Sequence, residues 1–356
     1  MLQGKSLVQL AAEIERQKVA KKDFIASTSQ MNMVITEPDE NGKRFPRLGI
    51  ADMDPLAINE IAHNQIGAKL EIPSKYYDRL LNEEPELLAE NVNTWLHKKP
   101  SQRMIRTLDG TARAYLSDRY RRIDNAEVAE AVLPIISGMK DATVESCEIT
   151  ESRMYLKVLN PRIQTEITQG DVVQSGILIT NSEVGMGSVS VMPLVYRLVC
   201  KNGMIAADSG MRKFHTGRIN EADGNMEIFR SVTIEADDKA FIMKLQDIVH
   251  ATAEIIQFER IVSAMKLGTE TKITSPDVPK VVQLASKNYG LTEYEGKGVL
   301  DHLIRGGDLS LYGLANSVTH TAQDVKNYDR STELEMVGWQ MLNMPRTEWH
   351  RLNTAA

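Results

Sequence analysis

Residues 153–158 read RMYLKV and residues 176–196 read GILITNSEVGMGSVSVMPLVY, and these two stretches decide the fold. In the first, Arg153, Tyr155 and Lys157 alternate with Met154, Leu156 and Val158. That period of two is expected of a half-buried antiparallel strand. In the second, two runs rich in β-formers flank Gly185-Met186-Gly187, which reads as the turn joining a pair of strands. Leu194 to Lys201 continues in β-forming residues up to Asn202-Gly203, and Asp109-Gly110 lies upstream. Both dipeptides signal tight hairpin turns, because glycine supplies positive φ and Asp or Asn tolerates it.

One helix interrupts the strands. Asn125 is placed to cap it, and Val128, Ala131, Val132, Ile135 and Ile136 form its apolar face. Residues 101–220 thus read as an antiparallel-sheet core with one helix. Residues 1–100 read as mainly helical: Leu7, Leu10 and Ile14 share a face, and a polar segment runs from Glu37 to Pro46. A helix is expected over Ile58–Leu70 after Asp54-Pro55, then two short helices, the first capped by Ser74 and the second opened by Pro85. Residues 221–356 read as helical again. Phe241, Leu245, Ile248, Ile255 and Val262 recur at helical spacing in one long core helix, Ile234 to Met265. Shorter helices follow near Pro276–Asn288, Gly298–Ile304 and Leu309–Thr321. The expected class is α+β: a central twisted antiparallel sheet with a packed helix, between a helical N-terminal region and a long-helix C-terminal region.

Composition narrows the function. Hydrophobic content of 42% and charged content of 25% are those of a globular chain, and aromatics at 5% beside 17 methionines predict an aliphatic, methionine-filled core. Cys147 and Cys200 are far apart, which excludes a disulfide framework and any zinc site built from cysteines alone. No run approaches a membrane helix and the first residues lack a signal-peptide core, so a cytoplasmic protein with no membrane partner is expected.

Against a net charge of −6, Arg103 to Arg122 (RMIRTLDGTARAYLSDRYRR) is basic: six arginines face two aspartates, a net of +4. Arg103, Arg106, Arg113, Arg119, Arg121 and Arg122, with Tyr115 and Tyr120, are the first candidate contacts for an anionic strand. Guanidinium groups grip phosphate bidentately and tyrosines stack bases. With the hairpin turning at Asp109-Gly110, Arg113 and Tyr115 are expected on one sheet face. A second basic segment, from Arg197 to Arg218, holds Arg212, Lys213, His215 and Arg218 as further candidates. Pairing of these arginines with acidic helices of the chain itself or of a neighbouring subunit carries about equal weight.

Catalytic patterns are missing. There is no Walker loop, the histidines lack metal-ligand spacing, and Gly185-x-Gly187 is too short for a dinucleotide fingerprint. Glu183 lies beside glycines with no partner acid, so a buried structural or turn role outweighs a general base. Acidic residues from Glu221 to Glu259, Asp237 among them, read as a solvated helix face. No cofactor and no metal are expected.

YLSDRYRRIDNAEV, GILITNSEVGMGSVSVMPLVYRLVCKNGMI and RKFHTGR, in that order, resemble the phage/plasmid-like protein family also called domain of unknown function 932. The resemblance runs from about Lys75 to about Met265 and implies a mobile-element setting without implying a reaction. The hairpin-then-helix pattern of Gln102 to Ser137 is similar in architecture to phage single-strand annealing proteins, which form rings or filaments. The expected function is therefore non-catalytic binding of single-stranded DNA by a homo-oligomer, with strand annealing in recombination. The alternative is an oligomeric protein-interaction module or host-defence inhibitor. A nucleotide- or DNA-acting enzyme using Glu183 and His215 ranks third.

Overall fold

The computed structural model describes residues 1–208, 210–213, 231–252 and 255–355. Within them, the α+β class holds, with the strands divided between two sheets. The first half contains α1 (Leu7–Ala20), β1 (Lys21–Ser27), β2 (Met31–Ile35), β3 (Pro46–Ile50) and β4 (Met53–Ile58). Then come α2 (Glu60–Lys69), α3 (Ser74–Glu83), α4 (Pro85–Lys98), β5 (Gln102–Leu108), β6 (Thr111–Ser117) and α5 (Asn125–Gly138). The second sheet is built from β7 (Thr143–Ile149), β8 (Met154–Glu166), β9 (Val172–Asn181), β10 (Val189–Arg197), β11 (Asn202–Ile205) and β12 (Met211–Lys213). Helices follow: α6 (Ser231–Thr252), α7 (Ile255–Glu270), α8 (Val278–Asn288), α9 (Glu293–Gly306), α10 (Leu311–Thr321), α11 (Tyr328–Leu342) and α12 (Arg346–Thr354).

The first sheet has the order β1-β5-β6-β4-β3-β2, antiparallel except where β4 meets β6. Strands on either side of residue 100 thus belong to one sheet, and the first hundred residues contribute four strands that helical periodicity did not announce. The reason lies in β3 and β4, which are short and irregular. Asp54 and Pro55 fall where the β3–β4 register shifts, so proline's missing N–H costs no ladder bond. Helices α2, α3 and α4 cover one face, burying Met31, Met33, Leu48, Ile66, Tyr77, Leu88 and Val92. At the β2 margin, Asn93 of α4 accepts from Met33 N–H at 2.6 Å and donates to Met33 C=O at 2.9 Å, while His97 donates to Met31 C=O at 2.9 Å. One amide side chain thereby stands in for a neighbouring strand.

The second sheet has the order β11-β10-β9-β8-β7, with β12 also on β10, and helices cover both faces. One face packs Met154, Leu156, Val158, Ile177, Ile179 and Val191 against α1, α5 and α6. The other sets Tyr155, Leu178 and Leu194 against Tyr328 of α11, and β9, β10 and β11 add Val173, Val195 and Met204 to the core of α7 through α12. The half-buried reading of β8 is therefore corrected: Met154 through Leu159 are buried on both faces, Lys157 included. Of the expected long helix, Ile234 to Met265, the described residues carry α6 and α7 on either side of residues 253–254. Phe241 and Leu245 of α6 enter the core with α5, whereas Phe258, Ile261 and Met265 of α7 enter the core with α10 and α11.

Three local readings shift by a few residues. Asp109 (φ 51°) and Gly110 (φ 75°) do make the β5–β6 turn. Asn202-Gly203, however, lies inside β11, and Lys201 (φ 52°) takes the left-handed position before it. Pro73, without a side-chain cap, precedes α3, so Ser74 is its first residue; Pro85 opens α4 as expected. Asn125 likewise is the first residue of α5, with Asp124 at the cap position.

Candidate functional site

The Arg-rich hairpin meets the second sheet at the β9–β10 turn, residues 182–188. A bulge in β5–β6 arranges this meeting. Arg106 lies opposite Ala114 and Thr107 opposite Ala112, which leaves Arg113 as the extra residue. Ala112 and Tyr115 therefore stay on the helix-covered face, whereas Ala114 and Leu116 pack against Val184 and Arg113 reaches Glu183. The expectation that Arg113 and Tyr115 share an open face is corrected. Tyr115 is a core residue, 1% exposed, with Arg103 over its ring at 5.9 Å, and its ring cannot stack bases.

Arg106 is 0% exposed and makes four bonds. Its Nε and Nη2 donate to Asp23 at 3.0 and 2.9 Å, Nη2 also donates to Asp124 at 2.6 Å, and Nη1 donates to the Glu183 carbonyl at 2.8 Å. Glu183 is equally enclosed. Its carboxylate accepts from Arg113 Nη2 at 2.5 Å and from the Asn125 backbone N–H at 2.7 Å, and lies 3.5 Å from Lys21 Nζ. The first N–H of α5 is thus capped by a carboxylate nearly sixty residues away, at the end where the helix dipole favours negative charge. Asp124, the residue in the cap position, instead turns its carboxylate to Arg106 and Lys21. Gln65 of α2 adds a neutral stitch: it accepts from Tyr115 N–H at 2.7 Å and donates to the Val184 carbonyl at 2.7 Å.

Lys21, Arg106 and Arg113 thus face Asp23, Asp124 and Glu183, three charges of each sign between the two sheets. Burial opposes the Arg106 charge, but Asp23 and Asp124 outweigh it and raise its pKa. Burial alone raises the Asp124 carboxyl; Arg106 and Lys21 overcome this and hold it below the usual range. Such a cluster binds the sheets together and leaves its buried cations little capacity for an outside anion. Arg106 and Arg113 are therefore corrected from strand contacts to framework.

The remaining candidates separate by exposure. Arg119 and Arg122 are exposed on the segment between β6 and α5, Arg122 lying 3.6 Å from Asp23 with 55% of its side chain accessible. Arg121 pairs with Asp237 of α6, so that aspartate is more than part of a solvated face. Tyr120 donates to the Ser182 carbonyl at 3.1 Å, and burial raises its pKa. In the second basic segment, Arg197 pairs with Asp171 at 2.6 Å. Arg212 and Lys213 lie on β12, opposite Ser190 and Val189, but their side chains fall outside the described residues, as do His215 and Arg218 entirely.

Sequence reading missed Lys21, Asp23, Gln65 and Asp124. Only Asp124 carried a signal, as an acidic residue beside a helix start; the rest are made relevant by tertiary pairing alone. Among the described residues, no group of three His, Cys, Asp or Glu side chains is placed to hold a metal ion, and no helix is long and apolar enough to cross a membrane.

Comparison with known proteins returned no matching curated protein and no matching solved structure. A family match, by contrast, covers residues 113–353. It begins at the bulge residue Arg113, inside β6, and takes in the rest of that strand, the whole second sheet and the C-terminal helices, including Glu183 and Asp124. Lys21, Asp23 and Arg106, which complete the cluster, precede it. With that extent matched, the chain belongs to the family described as Domain of unknown function (DUF932).

Proposed function

We propose that this is a non-catalytic single-stranded-DNA-binding protein of a phage- or plasmid-type mobile element. It acts in the cytoplasm, without a cofactor, as a homo-oligomer that holds strands for annealing in recombination. One observation carries the reading. Arg119 and Arg122 project from the segment between β6 and α5, while the ion-paired cluster beneath them fixes that segment between two sheets. A rigid support for exposed guanidinium groups suits phosphate, which arginine grips bidentately. With Tyr115 in the core, contact rests on charge more than on stacking, and affinity follows counterion release. The mobile-element setting draws its support from the family resemblance.

The test is fluorescence anisotropy of labelled single- and double-stranded oligonucleotides across a salt series. Single strands bind, and Arg119→Ala/Arg122→Ala lowers the slope of log K against log salt by about 1.4, two phosphates at roughly 0.7 each. Flat traces for both oligonucleotides at low salt overturn the reading.

A second reading, a protein-interaction module, is favoured by Tyr76 of α3 and Leu87 and Trp95 of α4, large apolar side chains each more than two-fifths exposed. It requires a captured partner that is lost with Trp95→Ala.

A further inference from the structure

The first sheet ends on one side at β1, and three contacts fix where the backbone groups of that strand point. Thr28 N–H donates to the Ser101 carbonyl at 2.9 Å, continuing the β1–β5 register, and Thr107 Oγ1 donates to the Lys22 carbonyl at 2.9 Å. Even-numbered residues therefore turn their N–H and C=O groups toward β5. Lys21 N–H points the other way, back to the Gln17 carbonyl at the end of α1. Because the two directions alternate along an antiparallel strand, Lys21, Asp23, Ile25 and Ser27 face outward.

Two of the outward groups are already used. Lys21 N–H closes α1, and the Ser27 carbonyl accepts the first bond of the 3₁₀ turn Thr28–Gln30, as a cap residue does. Left open among the described residues are the Lys21 carbonyl, both groups of Asp23, both groups of Ile25 and the Ser27 N–H. The devices that usually blunt such an edge are few. β1 has no proline, and its register with β5 runs unbroken from Lys21 to Ser27. Lys21 and Asp23 turn their charges to Asp124, Glu183, Arg106 and Arg122, while Lys22 is exposed and Ile25 is 54% exposed.

We infer that β1 pairs with β1 of a second copy of this chain, antiparallel about a two-fold axis at Phe24, so that the two first sheets join edge to edge. The pairing rests on the homo-oligomer reading above and names its contact. The open groups select both partner and register. Asp23 faces Ile25 of the second copy and exchanges both bonds with it, and the Lys21 carbonyl meets the Ser27 N–H of the second copy. Every open group thus finds a partner and none is left over. A shift of two residues, which sets Ile25 against Ile25, turns Asp23 N–H to the used Ser27 carbonyl and leaves the Lys21 carbonyl empty. Side chains agree: Phe24 meets Phe24 beside the core it already joins, Lys22 meets Ala26, and no like charges stand directly opposite.

Light scattering after size exclusion, over a concentration series, tests the pairing. The native chain moves from 39.8 kDa to twice that mass as concentration rises. Ile25→Pro stays at the single mass with its melting temperature kept, because that N–H faces away from β5 and proline costs no bond within the sheet. Disulfide trapping gives a second readout. The two Phe24 Cα atoms, as a non-hydrogen-bonded pair, lie about 4.5 Å apart, inside the roughly 4.4–6.8 Å that a disulfide spans. Phe24→Cys therefore cross-links under mild oxidation, whereas Lys22→Cys, several residues from its counterpart, does not. The native chain with Cys147 and Cys200 is the blank. A doubled or larger mass that Ile25→Pro leaves unchanged overturns the pairing and keeps the homo-oligomer. Equal cross-linking of both cysteine variants, or of neither, also overturns the pairing. A single mass throughout overturns the pairing and the homo-oligomer together, and leaves strand binding to the oligonucleotide titration.

Discussion

Lys157 Nζ lies 2.6 Å from Glu335 Oε2, with neither side chain exposed at all. The pair joins the middle of β8 to α11, and the Tyr328 ring lies 4.9 Å from the ammonium. Among the described residues Glu335 Oε1 has no hydrogen-bond partner, so the carboxylate is incompletely compensated. An ion pair this deep gives little net stability but penalises any packing of α11 that separates the two charges.

Removing one partner therefore costs more than removing both. Lys157→Met or Glu335→Leu alone is expected to destabilise by about 3–5 kcal/mol, because an unpaired charge remains buried. The double replacement recovers most of that loss. Urea unfolding of the three variants checks the order, and a double variant as unstable as the singles contradicts it.

Glu183 gives a second test, since an acid–base role and a framework role predict different outcomes. Glu183→Gln keeps the shape but loses the charge that faces Arg113, Lys21 and the first N–H of α5. A loss of about 3 kcal/mol follows, seen as a melting temperature lower by several degrees. An unchanged melting temperature rules out the framework role.

His63 sets the pH dependence. Its ring is buried and its Nδ1 is 2.9 Å from the Tyr77 hydroxyl; burial lowers its pKa from 6.5 to about 4. Between those values the unfolded chain binds a proton that the folded chain refuses, so stability rises with pH across this window and falls as pH drops through it. The full loss is about 3 kcal/mol. Asp124 acts lower: its depressed carboxyl contributes stability above its ordinary range, lost as pH falls through the folded value. Urea midpoints from pH 7 to 4.5 should fall in the native chain and much less in His63→Gln.

Arg106 and Arg119 should behave oppositely, although both belong to one basic run. Arg106→Ala leaves Asp23 with Arg122 at 3.6 Å, Asp124 with Lys21 and the Glu183 carbonyl without this donor, costing about 3–5 kcal/mol. Arg119→Ala leaves stability within about 0.5 kcal/mol, as expected for an exposed side chain without such partners. Paired melting curves and anisotropy titrations separate the two residues.

Much of the local structure was legible. Asp109-Gly110 and Gly185–Gly187 announced their turns because positive φ leaves a compositional mark, and the Val128, Val132 and Ile136 stripe announced α5. Arg106 shows where legibility ends. Its partners stand 83 residues away at Asp23 and 77 away at Glu183, and nothing local distinguishes it from exposed Arg119. The β5–β6 bulge was equally silent, yet that single extra residue decides which way Arg113 points. Lys157 misled for a related reason. Charge every second residue predicts a wet face, and only the arrival of Glu335 from α11 makes that face dry.

The Asn93 and His97 contacts along β2 bear on assembly. With Met31 and Met33 already satisfied there, that margin offers little for a strand from another molecule to recognise. Any extension of the first sheet across subunits must start from β1 at the opposite margin. Two such margins close on each other as a dimer and stop, so the first sheet alone cannot propagate a ring or filament of many subunits.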